Sequence, residues 1–231
     1  MIPDPKGPYI GAQRQRLFGV YTALVVELGA GDRNAQVRVK LPWVDEDEGG
    51  DSPIWARVST MMAGADRGTW FIPEIDDEVL IAFVAGDPRH PIVVGALWNG
   101  VDEAPENMDS GGDNPIRSIT TESGHKLSFD DRGRIDLESA GGHKVTLDDT
   151  GTKILIEHSI GSSIEMSSDG SIKISAINKV EIEAPAGTDI TTAKLTVNAP
   201  LSTFSGVVQC QVLQTPSVIA ATYTPGAGNV W

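Results

Sequence analysis

The sequence predicts an all-β protein in which a small barrel is followed by a repetitive β-structure. The chain has 231 residues, of which 25 are glycine and 14 are proline, a content typical of many short strands joined by turns. Five short apolar runs precede residue 99, and beyond residue 118 a unit of strand, turn and strand repeats. These patterns predict two modules rather than one large enzyme core.

The barrel is predicted over residues 17–98, after an N-terminal arm of residues 1–16. Its five runs are LFGVYTALVVEL, AQVRVKLP, IWARVSTMM, EVLIAFVA and PIVVGALW, and glycine or proline interrupts the chain between them. Gly86, Asp87 and Pro88 supply the turn before the last run. Five strands joined by loops of uneven length predict a closed barrel of the OB type.

The segment of residues 99–118 is rich in Asn, Asp, Gly and Pro and lacks periodicity, so we predict a linker. After it, the tripeptide Gly-His-Lys at 124–126 returns at 142–144. Turn glycines fall at Gly133, Gly151 and Gly170, at intervals of 18 and 19 residues. Such regular spacing predicts a structure built from one repeated unit over residues 119–194.

Alternation within each unit separates an apolar face from a polar face. The apolar set is His125, Leu127, Phe129, Ile135, Leu137, His143, Val145, Leu147, Ile154, Ile156, Ile164, Met166, Ile172, Ile174, Val180 and Ile182. The polar set is Lys126, Asp136, Glu138, Lys144, Lys153, Glu157, Glu165, Lys173, Lys179, Glu181 and Glu183. Two strands per unit are fewer than a single-chain β-helix needs to close a coil, so we predict a homotrimer in which three copies bury their apolar faces in a trimeric β-helix or β-prism.

The last segment, residues 195–231, contains no charged residue. Like charges from three chains converging on one axis would repel at short range, so an uncharged end suits a tapering tip. The alternative is a polar, low-complexity tail without defined structure.

Composition restricts the functions open to the chain. The formal net charge of −14 disfavours nucleic acid as a partner. The single cysteine, Cys210, excludes an intrachain disulfide and is predicted to be a small buried side chain in a protein made in a reducing compartment. The N-terminus has no apolar core of a signal peptide, and no run of about 18 apolar residues would span a bilayer.

Three stretches resemble a known family: RVKLPW at 38–43, the sequence from WARVSTMM to ALWNG at 55–100, and GHKLSFDD at 124–131. They are similar to VgrG-type and baseplate-assembly-protein-V-type spikes of contractile injection systems, which include phage tails, type VI secretion systems and extracellular contractile particles. The resemblance covers most of residues 17–176. It implies an OB barrel followed by a trimeric β-prism ending in a point, which plugs the baseplate hub and is driven through a target envelope when the sheath contracts.

The resemblance also implies partners and a location. The expected partners are a hub protein contacting the OB domains, a PAAR-like cap or cargo at the C-terminal tip, and a nearby inner tube or tape measure. Because only about 16 residues precede the barrel, we expect a short spike made in the bacterial cytoplasm without a signal peptide, as part of a phage tail or extracellular particle whose hub is a separate protein. The 20-residue linker is too short for an inserted lysozyme domain, and the tail lacks the His-x-His motif of iron-binding tips.

Candidate catalytic and metal-binding residues are few. The pairs Asp130-Asp131 and Asp148-Asp149 precede turn glycines and are predicted to bind turn N–H groups rather than to form a catalytic carboxylate pair. His125 and His143 could form axial rings of three imidazoles suited to an ion or ordered water, or could be satisfied side chains at strand ends.

We therefore expect a non-enzymatic spike with no catalytic residue, cofactor or tip metal. The tryptophans Trp43, Trp55, Trp70 and Trp98 are predicted to be packing or subunit-contact residues rather than a nucleic-acid platform. The alternative function is a glycan-degrading or glycan-binding trimeric tailspike, which would need paired carboxylates in a groove away from turns.

Overall fold

The computed structural model describes residues 16–42 and 53–222, so the predictions for Trp43 and the N-terminal arm before Arg16 lie outside it. Its first part is a closed five-stranded barrel in the order β1-β2-β3-β7-β6, and β1 closes the barrel by pairing with β6. The barrel strands are β1 (Val20–Leu28), β2 (Gln36–Lys40), β3 (Ile54–Val58), β6 (Glu78–Phe83) and β7 (Pro91–Ala96). Only the β3–β7 pair is parallel. The predicted all-β class and five-stranded barrel are confirmed.

The barrel has its own core because alternate side chains on each strand point inward. Nine core residues are buried: Ala23, Val25, Val37, Val39, Ala56, Val79, Ile81, Phe83 and Val93. Most are small or β-branched, which suits the narrow interior of a five-stranded barrel. Bulges interrupt the register between Val25 and Glu27 and between Leu80 and Ile81, where the sheet bends to close.

A two-stranded hairpin lies between β3 and β6 and was not predicted from the sequence. It consists of β4 (Ala63–Gly64) and β5 (Arg67–Gly68). The hydroxyl of Thr60 donates to the carbonyl oxygen of Thr69 over 2.7 Å, and this contact holds the two ends of the hairpin together.

The repeats form one seven-stranded antiparallel sheet in which each strand pairs with the next in sequence. The strands are β8 (Ile116–Thr120), β9 (Lys126–Asp130), β10 (Arg134–Glu138), β11 (Lys144–Asp148), β12 (Lys153–Glu157), β13 (Ser163–Met166) and β14 (Ile172–Ser175). Short turns connect successive strands, which explains why a strand, turn and strand unit recurs in the sequence.

Residues 180–231 separate as a second unit, described here to residue 222. Within its described part there is no helix or strand, and every side chain is exposed. The alternation predicted through Val180 and Ile182 therefore finds no paired strand within one chain. The prediction that Cys210 is buried is wrong, since Cys210 is exposed. In the described residues, no helix has the length and apolarity needed to cross a membrane.

Candidate functional site

The most prominent surface of the repeat sheet is its apolar face. The antiparallel register places Leu127 opposite Leu137, Leu137 opposite Val145, and Val145 opposite Ile156. Residues directly opposite in such a register share one face of a sheet. The apolar face consists of Ile119, Leu127, Phe129, Ile135, Leu137, Val145, Leu147, Ile154, Ile156, Ile164, Met166, Ile172 and Ile174. The register agrees with the alternation predicted from the sequence.

Within the part of the chain that the structure describes, the apolar face is left largely uncovered. Leu137 is 55% exposed and Ile156 is 43% exposed, although both lie in the interior of the sheet, and Ile174 near its end is 60% exposed. A contiguous apolar surface across seven strands is larger than the scattered apolar side chains usual on a soluble monomer. This surface therefore needs a partner.

The polar face, in contrast, pairs the charges at its centre within one chain. Asp136 accepts hydrogen bonds from Arg134 Nε over 2.7 Å and from the hydroxyl of Thr146 over 2.6 Å, and Lys144 Nζ lies 3.3 Å from Oδ1 of Asp136. Partial burial alone would raise the pKa of Asp136, but the hydrogen bonds from Arg134 and Thr146 and the charge of Lys144 hold it below its usual value. Thr146 is only 2% exposed.

A residue from before the sheet also binds to the polar face. Lys126 Nζ lies 2.5 Å from Oε1 of Glu106. The pKa of Glu106 is lowered by its hydrogen bond with Lys126 and then by one with Ser118. The segment that joins barrel and sheet is thus attached on the polar side, and the apolar side stays open.

The two candidate histidines lie at one edge of the sheet, where each binds the next turn. Nδ1 of His125 accepts the backbone N–H of Ala140 over 3.2 Å, and Nδ1 of His143 accepts that of Ser159 over 3.3 Å. In the next repeat the hydroxyl oxygen of Ser162 accepts the N–H of Ile177 over 3.3 Å. In the third repeat a serine therefore accepts the turn N–H that a histidine accepts in the first two repeats.

These hydrogen bonds fix the tautomer of the rings. A neutral imidazole that accepts at Nδ1 carries its proton on Nε2, so each ring would have to give up this hydrogen bond to bind an ion. Within residues 16–42 and 53–222 no three His, Cys, Asp or Glu side chains form a metal-binding group. Axial rings of His125 and His143 would draw one imidazole from each of three copies and stay a prediction.

The acidic pairs occupy hairpin turns at the opposite edge. Oδ1 of Asp130 accepts the backbone N–H of Arg132 over 3.0 Å, and Oδ1 of Asp148 accepts that of Gly151 over 2.6 Å. Hydrogen bonds from Arg132 lower the pKa of Asp130. These contacts agree with the turn interpretation, and the lowered pKa of Asp130 is the opposite of what a general acid requires.

The tryptophans occupy different surroundings. Trp55 on β3 is half-buried, with the guanidinium of Arg33 4.9 Å from its ring centre. Trp70 and Trp98 are exposed in the single chain, so neither is a core residue. Their predicted role in subunit contacts stays a prediction.

Comparison with known protein families identifies the class to which the barrel is similar. Residues 21–98 match the family described as the type VI secretion system/phage-baseplate injector OB domain. This segment covers the five barrel strands almost completely. The barrel is therefore an injector OB domain.

Particular relatives extend the match beyond the barrel family. The chain is 33% identical over 117 residues to type VI secretion system spike protein VgrG4b of Pseudomonas aeruginosa, covering 48% of this chain and 14% of the relative. It is 31% identical over 105 residues to spike protein VgrG1a of the same organism, covering 43% and 16%. It is 30% identical over 105 residues to actin cross-linking toxin VgrG1 of Vibrio cholerae, covering 44% and 10%.

These matches confirm the family predicted from the sequence: the chain is a relative of VgrG-type and baseplate-assembly-protein-V-type spikes. The matched segments span between 10% and 16% of the length of these three relatives. None of the three is named as a glycan-degrading or glycan-binding tailspike, so the alternative function receives no support from them.

Proposed function

We propose that this chain is the homotrimeric central spike of a contractile injection system, and that its trimer is held together by the apolar face of the repeat sheet. The observation that carries the proposal is the uncovered apolar face beside a polar face whose charges are already paired. A sheet with these two faces is stable in water only when the apolar one is buried.

Three copies are the smallest closed arrangement that suits a needle. Three sheets with their apolar faces inward enclose a dry, triangular core and present three polar faces to solvent. Two copies packed face to face would also bury the apolar faces, so the number of chains is the quantity to measure. The trimeric β-prism that the family resemblance implies favours three copies over two.

The end of the chain fits the same arrangement. From Leu195 to Ile219 large apolar side chains are exposed, and Val207 is 97% exposed. A segment that lacks both charge and internal packing gains its order from other chains, and in the trimer three such segments wind together as a tapering tip. The tip is where a PAAR-like cap or cargo would bind.

The mechanism we propose is mechanical and involves no catalytic residue. The barrels seat the spike on a baseplate hub protein, with the inner tube or tape measure nearby. When the sheath contracts, the needle is pushed through the target envelope. Continuous strand pairing along the sheet and a dry core between the copies resist unfolding under axial load, because many backbone hydrogen bonds must break together.

Cross-linking tests which face lies between the copies. In a Cys210→Ser background, cysteine is placed either at Ile154 on the apolar face or at its neighbour Leu155 on the polar face. Each chain then carries one thiol, so brief treatment with a short bismaleimide should join pairs of Ile154→Cys chains into covalent dimers and leave Leu155→Cys chains uncoupled. Equal coupling of both variants, or coupling through Leu155→Cys alone, would refute the arrangement.

A further inference from the structure

The outer surface of the barrel carries a pocket of about 650 Å³ that is unusually basic for this chain. It is bounded by the 3₁₀ turn Gly31–Arg33, by outward-facing residues of β2 and β3, and by the start of β7. Its polar lining residues are Arg33, Gln36, Arg57, Arg89 and His90, and Trp55 forms part of its apolar wall. Among the described residues that line it none is acidic, although the chain has 32 acidic and 18 basic residues.

One side of the pocket is a stacked pair. The guanidinium carbon of Arg33 lies 4.9 Å from the ring centre of Trp55, within the range of a cation–π contact. The stacking restricts the side chain of Arg33, and the one hydrogen bond that it donates to a described residue, Gln36 Oε1, is long at 3.5 Å. Arg33 is thus held in place with most of its N–H donors open to a ligand.

The other side is formed by Arg57. Residues 55 and 57 of β3 point outward together because Ala56 between them is buried in the core. Arg57 lies opposite Gln36 in the β2–β3 register, is exposed, and makes no ion pair with any residue that the structure describes. Two arginines therefore flank the indole of Trp55.

The remaining basic residues of the pocket are partly neutralised. Arg89 Nη2 lies 2.6 Å from Oδ2 of Asp87, and His90 Nδ1 lies 3.5 Å from the same oxygen. Hydrogen bonds from Arg89 hold the pKa of Asp87 far below its usual range. The uncompensated positive charge of the pocket thus comes from Arg33 and Arg57.

We propose that this pocket binds an acidic peptide segment of another protein. Guanidinium groups match carboxylates in geometry and pair with them through two parallel hydrogen bonds. The indole and the apolar walls beside it would cover the backbone and an apolar side chain of the same segment. Because the pocket belongs to one barrel, the proposal does not depend on the trimer.

Binding of a fluorescein-labelled hexaglutamate peptide to the full chain, followed by anisotropy, tests the proposal. The net charge of −14 repels a polyanion, so saturable binding must come from a local site. We expect Arg57→Gln and Arg33→Gln each to weaken binding by roughly fivefold or more, as loss of a charge-assisted hydrogen bond does. Trp55→Leu should also weaken binding although it changes no charge.

The matched control is Arg67→Gln, which removes the same charge from the β4–β5 hairpin outside the pocket. If this variant leaves the affinity for hexaglutamate unchanged, the result supports the proposed site. Should Trp55→Leu fail to fold, Arg33→Gln tests the same side of the pocket with the ring intact.

Three results would overturn the proposal. The first is the absence of saturable binding, or an equal loss of affinity in Arg67→Gln. The second is tighter binding of a thymidine hexanucleotide, which would identify a nucleic-acid site. The third is binding that appears only after the acidic run Asp45, Glu46, Asp47 and Glu48 is replaced by amides, which would assign the pocket to the chain's own segment before Pro53.

Discussion

Placing a charge on the apolar face should dissociate the proposed trimer, and β12 offers a matched pair of positions for this test. Ile156 lies on the apolar face, opposite Val145 and Ile164. Leu155 precedes it on the polar face, opposite Thr146 and Glu165. Ile156→Glu and Leu155→Glu each remove one aliphatic side chain and add one carboxylate to the same strand, on opposite faces of the sheet.

The expected effect follows from the exposure of Ile156. Full burial of an isoleucine is worth about 1.5–3 kcal/mol, so the 43% of Ile156 that one chain leaves exposed contributes about 1 kcal/mol per copy when the trimer forms. Three copies lose about 3 kcal/mol, and burying three unpaired carboxylates costs several kcal/mol for each. Together these penalties should exceed about 10 kcal/mol, which is enough to dissociate the trimer at micromolar concentration.

Light scattering behind size exclusion measures the result. We expect Ile156→Glu to elute as a single chain or as a disordered aggregate, and Leu155→Glu to keep the mass of the unsubstituted protein. A full-mass Ile156→Glu oligomer would refute the burial of this face, and so would dissociation of Leu155→Glu alone.

Three further results are expected from the sheet. Asp136→Asn should lower the melting temperature at neutral pH. The difference in melting temperature from wild type should shrink as the pH falls below about 4, because a carboxylate with a lowered pKa stabilises the fold only while it is ionised. A difference that does not depend on pH would contradict this. Replacing Thr152, a β-branched residue at φ 49°, by glycine should raise the free energy of unfolding by about 0.5 kcal/mol. Gly170→Ala at φ 79° should lower the free energy of unfolding in the same denaturation assay. His143→Phe removes the acceptor of the Ser159 N–H and should cost about 1 kcal/mol in urea unfolding; an unchanged midpoint would show that this contact is not stabilising.

The barrel strands and the apolar face could be predicted because both depend on local alternation. In a strand such as β2, Val37 and Val39 alternate with Gln36 and Arg38, and the period of two separates core from surface without knowledge of neighbouring strands. The turn residues between strands then fix where each run ends.

Other features depend on contacts or details that alternation does not encode. The β4–β5 hairpin has only two residues per strand, too few for a periodic signal. In the turn after β11 the positive φ belongs to Thr152 rather than to Gly151, because this turn is longer than the equivalent turn at Gly133. The exposure of Cys210 could not be foreseen because composition says nothing about which segments find packing partners within one chain.

The basic pocket was missed for a similar reason. Arg33 is distant in sequence from Trp55 and Arg57, and the three meet only because β2 and β3 pair in a particular register. The only sequence signal was the outward position shared by residues 55 and 57 on a strand whose middle residue, Ala56, faces the core.

The central claim is that the repeat sheet assembles the spike, and mass in solution tests it most directly. Light scattering should be measured on the full chain and on a shortened chain ending at Gly100, which keeps the complete barrel with its own core. The account predicts three copies of the 24.5 kDa chain for the full protein and a single copy for the shortened one. A stable monomer of the full chain, or a trimer that persists without the sheet, would contradict it.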